Sequence, residues 1–132
     1  MRVELKQDSA LLEKVETLYF NLEELFYEFA ETKIFELTPQ VVKKLYYILT
    51  LYNDVKTELT KTYKIDILPR NIEYVPLTPI FSLIIDALTL VQSLYQELLN
   101  DNIDIETLFV LDNTMSRIQR TILFFHYFHF AL

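Results

Sequence analysis

Glycine is missing from this 132-residue chain, and so are cysteine and tryptophan. At an average usage of about 7%, roughly nine glycines would be expected. Phosphate-cradling loops and dinucleotide fingerprints need glycine where the backbone turns tightly or approaches the ligand, so both classes of site are excluded. Two-residue hairpins would depend on Asn or Asp for positive φ, which weighs against β structure. Without cysteine there are no disulfides, thiolate metal sites or cysteine nucleophiles. Long apolar runs are missing too, since none approaches the ~18–20 residues that span a bilayer. The opening MRVELKQDSALLEK lacks the apolar segment of a signal peptide. A cytoplasmic location, or a place in a soluble assembly, is expected.

What is present argues for a folded protein. Hydrophobic residues make up 52% of the chain, and the aromatic share of 14% comes from ten Phe and nine Tyr. A chain of this length forms one domain, residues 1–132, able to bury roughly two thirds of its unfolded surface. The net charge of −7 is unevenly laid out, with residues 1–36 at −5, residues 37–78 at +2 and residues 79–132 at −4. An acidic balance disfavours generic binding to nucleic acid or to an anionic membrane.

Apolar spacing predicts four helices, roughly 9–33, 39–63, 79–99 and 104–130. In the first, Leu11, Val15, Leu18, Leu22, Leu25 and Phe29 alternate at four and three residues, with Leu12, Tyr19 and Phe26 beside them. Thr38-Pro39 and Thr78-Pro79 read as helix starts, a cap residue followed by a proline suited to the first helical position. In the third helix apolar residues leave only a narrow polar strip of Ser82, Asp86, Thr89, Ser93 and Gln96. Asn100–Asn102 read as a polar turn and Asp104 as the cap of the fourth helix, whose stripe is Leu108, Leu111, Met115, Ile118, Ile122 and Phe125. Between the second and third helices lies KIDILPRNIEYVPL, whose Pro69 and Pro76 enforce extended backbone. The fold expected is all-α: a four-helix bundle with a long Pro-containing crossover, residues 64–78, between helices 2 and 3, which would let those two helices run parallel.

Few constellations carry chemistry. Glu24 and Glu28 on the first helix have no Glu-x-x-His partner of the kind used in di-metal bundles, and read as a solvated acidic face. His126 and His129, one turn apart, make at most half of a metal site. Asp112 and Ser116 share a helical face, but His126 lies ten residues beyond Ser116, about 15 Å along the axis, so no local catalytic triad forms. Lys43, Lys44, Lys56, Lys61 and Lys64, with Tyr46 and Tyr47 nearby, would suit a polyanion, or else dock the acidic face of the first helix from the same or another chain. No metal or cofactor is called for.

Arg120 and His126 are separated by five residues in the last helix, and Tyr127 follows. This spacing faintly resembles the arginine–histidine motif of HEPN domains, helical domains of about this size that often act as ribonucleases after dimerising. The resemblance covers seven residues, and Thr121 stands where the usual version has Asn. It implies an alternative function, a HEPN-like ribonuclease with Arg120 and His126 as catalytic residues.

The carboxyl end, RTILFFHYFHFAL, poses the sharper question. If Ile118, Ile122, Phe125 and His129 face the core, then Leu123, Phe124, Tyr127 and Phe128 fall on other faces. At ~1.5–3 kcal/mol per large side chain, these four represent roughly 6–12 kcal/mol of unused burial, against an association cost on the order of 4–15 kcal/mol. The expectation is a non-enzymatic bundle that acts by self-association as a structural or adaptor component, its interface formed by Leu123, Phe124, Tyr127, Phe128 and Phe130. A homodimer is the favoured assembly, with another protein, the crossover or a membrane surface as the other covers considered. Small, motif-free helical chains of this kind occur among the coat and accessory proteins of viruses and mobile elements.

Overall fold

A computed structural model describes residues 2–4, 9–33, 36–67 and 79–130, with the backbone alone for 2–4, 9 and 126–130. The order of elements is β1 (Arg2–Glu4), α1 (Ser9–Thr32), α2 (Pro39–Tyr63), α3 (Ile80–Leu99), β2 (Asn102–Asp104) and α4 (Ile105–Phe130). Four helices pack against one another as an all-α bundle. Helix α1 packs on α2 and α3, and α4 packs on the same two helices, so α1 stands diagonally across from α4.

Side-chain contacts set the directions. Early α1 meets late α2 through Lys14 and Glu58, while late α1 meets early α2 through Glu28 and Lys44. Early α1 also meets late α3 through Glu16 and Tyr95, and late α1 meets early α3 where Phe26 stacks on Phe81. Both α2 and α3 are therefore antiparallel to α1 and parallel to each other, as a long crossover between them allows. Of that crossover, residues 68–78 lie outside the described residues. Its first part turns inward, with Ile65 and Ile67 buried among the core side chains.

The apolar stripes form one core. All six stripe residues of α1 are buried, as are Leu108, Leu111, Met115, Ile118 and Ile122 of α4. Leu12, Tyr19 and Phe26 pack half-buried against them. The two proline signposts behave differently. Thr38 caps α2, its Oγ1 accepting the Val41 N–H at 3.2 Å, and Pro39 takes the first helical position. Pro79 instead occupies the cap position of α3, with no side-chain capping bond, and the helix begins at Ile80. There Ser82 N–H donates to the Pro79 carbonyl at 3.0 Å.

A short strand pair is the departure from the expected all-helical reading. β1 and β2 run antiparallel with Val3 opposite Ile103. Three residues are too few for alternation to be legible, and their partners are about a hundred residues apart. Asn100 and Asp101 form the turn, Asn102 already belongs to β2, and Asp104 caps α4 by accepting the Glu106 N–H at 3.0 Å.

With no glycine available, the left-handed positions after helices fall to other residues. Lys33, Lys64 and Asp101 have φ of 56°, 56° and 52°. Each closes a helix end, Lys33 N–H bonding to Phe29 O, Lys64 N–H to Thr60 O and Asp101 N–H to Leu98 O. A Cβ in this region costs about 1–2 kcal/mol, which glycine would spare.

Candidate interaction surface

The last described turns of α4 follow from its own periodicity. Ile118 and Ile122 lie on the core line and are fully buried, and Phe125 packs half-buried against the same cluster. Leu123 and Phe124 step off that line by one residue in each direction of the turn, which leaves them 52% and 49% exposed. Val110, Arg117 and Phe124 recur every seven residues on one side of the helix, and Val110 is also exposed. The helix continues to Phe130. The side chains of Tyr127, Phe128 and Phe130, the other expected interface residues, lie outside the described residues.

Arg120 is exposed on α4. The side chain of His126 lies outside the described residues, as does that of His129. In a continuous α-helix a six-residue separation amounts to about 9 Å along the axis and about 120° around it, so Arg120 and His126 do not share one strip of the surface. Among the described residues, no group of three acidic or imidazole side chains is placed to hold a metal ion. Likewise, no described helix is long and apolar enough to cross a membrane.

Two of the four lysines of α2, Lys44 and Lys56, are engaged in ion pairs. Lys44 Nζ lies 2.8 Å from Glu28 and 3.3 Å from Glu24, so these two carboxylates hold an ammonium of the neighbouring helix. The Glu28 hydrogen bond is the main cause that holds the Lys44 ammonium above its ordinary range. On the other end of the same seam Lys14 meets Glu58 at 3.2 Å and draws its carboxyl below the usual value. Lys64 ends the helix. An open hollow of about 420 Å³ on α2 is lined by Asn53, Lys56, Thr57, Thr60 and Lys61. Lys56 in it is already paired with Asp112 at 2.9 Å.

That pairing belongs to a polar cluster the sequence reading missed. Asp112 accepts the Tyr52 hydroxyl at 2.7 Å as well as the Lys56 ammonium, and Lys56 Nζ stands 5.7 Å from the centre of the Tyr52 ring. Asp112 thus joins α2 to α4. Burial, and then the bond to Asp112, hold the Tyr52 phenol well above the ordinary tyrosine range. One signal was available. Tyr52 sits in an apolar stripe, and a buried tyrosine hydroxyl requires a partner.

No protein-family model matches the chain, and neither does any curated protein or solved structure.

Proposed function

We propose that this protein is a non-enzymatic helical bundle that works by self-association, as a structural or adaptor component of an assembly. The observation that carries this reading is the exposure of Leu123 and Phe124, adjacent residues on a helix whose inward line is already sealed by Ile118 and Ile122. Two large apolar side chains left half in water stand to gain on the order of 1–3 kcal/mol on full burial, a useful part of a contact but too little alone. Tyr127, Phe128 and Phe130 complete the proposed interface on the aromatic-rich sequence of the tail. A second copy covers the patch, because twofold homo-oligomers are the commonest assemblies and the same surface then serves both partners.

The test is the solution mass of a Leu123→Ser/Phe124→Ser chain and of one lacking residues 123–132. The double substitution spares Phe125 and its packing on the core. Both variants are expected to lose the tail-mediated assembly in light scattering while keeping their helical circular dichroism. An assembly of unchanged mass in both would remove the reading.

A further inference from the structure

The outer surfaces of α1 and α2 carry matched stripes. On α1, Glu13, Thr17, Phe20, Glu24, Tyr27 and Glu31 follow one another at alternating four and three residues, and all are exposed. On α2, Lys43, Tyr47, Thr50, Asp54, Thr57 and Lys61 do the same, and all are exposed. Each stripe spans 19 residues from end to end, about 27 Å of helix. The stripes therefore share length and period, and the period is that of helices packed along their whole length. Phe20, Tyr27 and Tyr47 are 59%, 55% and 52% exposed, although each is a large apolar side chain.

Laid antiparallel, the stripes place Glu13 beside Lys61, Tyr27 beside Tyr47 and Glu31 beside Lys43. No carboxylate then faces another. Laid parallel they would set Glu24 against Asp54, a like-charge contact. Within one chain α1 and α2 are neighbouring antiparallel helices that form one side of the bundle, with Lys14 level with Glu58 and Glu28 level with Lys44. A twofold axis along the helix direction lays α1 of one copy over α2 of the other, antiparallel and within about one turn of this pairing. Among the described residues Glu13, Glu31 and Lys43 form no ion pair, and Lys61 acts on Glu58 only at longer range. The exposed strip of α3, from Ser82 to Gln96, has no basic residue and offers no such complement.

We infer that the α1–α2 side of the bundle is a second self-interface, in which the acidic stripe of one copy pairs with the basic stripe of another around a twofold axis. It goes beyond the α4 reading and uses opposite chemistry. Its ion pairs are screened by salt, since at 1 M the Debye length is about 3 Å. With two self-complementary surfaces, protomers add on both sides and the assembly grows beyond a dimer, the angle between the two axes deciding between a closed tetramer and an open chain.

The experiment compares three full-length proteins by sedimentation equilibrium at low salt: wild type, Lys43→Glu/Lys61→Glu, and Glu13→Lys/Glu31→Lys. Each variant alone sets like charges against each other at both ends of both helix pairs, and its mass is expected to fall at least twofold. An equimolar mixture restores opposite charges at every one of these contacts and should recover the wild-type mass. Variants that stop at a dimer leave the α4 contact working, whereas variants that become monomers support this interface and count against the α4 one. Unchanged masses, as for a surface that binds a basic segment of a different protein, would overturn the inference. So would a mixture that stays as light as its components.

Discussion

The seam between α1 and α3 and the seam between α2 and α4 hold the same bundle by different means. In the first, Phe26 stacks on Phe81 with ring centres 5.5 Å apart, Phe29 meets Phe81 edge-on at 6.0 Å, and the Tyr95 hydroxyl donates to Glu16 at 2.6 Å near the other end. The contact runs the length of the helices. In the second, packing is much thinner, and Asp112 gathers Tyr52 and Lys56 at a single level. A broad apolar seam resists sliding through many weak contacts. A narrow one depends on a few directional bonds to fix the height of one helix against the other.

The largest effect should come from breaking the broad seam. Phe29→Ala removes a fully buried ring and is expected to lower stability by about 3–5 kcal/mol in urea unfolding. At the narrow seam, Asp112→Ala leaves a half-buried ammonium and a buried hydroxyl without their acceptor, for a loss of about 1.5–3 kcal/mol. Tyr52→Phe should cost about 1 kcal/mol. The two losses should not add, because the double variant loses the shared bond only once; strict additivity would show that the cluster does not act as a unit.

Tyr52 also gives this seam a pH signature. Its folded-state pKa is raised above the unfolded value of about 10. The stability it contributes is therefore fully present below pH ~10 and declines as pH rises beyond, because the unfolded chain releases a proton that the folded one keeps. The decline approaches about 1.4 kcal/mol per pH unit. The measurement is the difference between wild type and Tyr52→Phe, whose stability curve should be flatter above pH 10. Parallel curves would mean that the hydroxyl is not sequestered. The smallest expected effect is a gain. Lys33→Gly, Lys64→Gly and Asp101→Gly each relieve a left-handed residue and should add about 0.5–1 kcal/mol, after the entropy that glycine costs.

The same comparison explains what could be read from the chain beforehand. Helices expected at 9–33, 39–63, 79–99 and 104–130 are observed at 9–32, 39–63, 80–99 and 105–130. Their boundaries were legible because stripes such as Leu11 to Phe29 and caps such as Thr38 and Asp104 are local signals. The apolar seam followed from those stripes. The Tyr52–Asp112–Lys56 cluster did not, since its members are drawn together across 60 and 56 residues and carry no shared pattern. β1 was hidden for the same reason. Of the tail, the exposure of Leu123 and Phe124 follows from their place one step off the core line, whereas the partner proposed for them leaves no periodic trace in a single chain. The paired stripes of α1 and α2 were present in the sequence as spacing, but only the antiparallel contact of those helices gave the spacing a meaning.

Self-association, as proposed, means that the bundle does not work as a single copy. The direct measurement is the mass of the unaltered chain by sedimentation equilibrium over a wide range of protein concentration and at two salt concentrations. Self-association through both surfaces gives a mass that rises with concentration well above the single-chain 15.8 kDa, falling at high salt but not all the way to that value. A mass fixed at 15.8 kDa under every condition would contradict it.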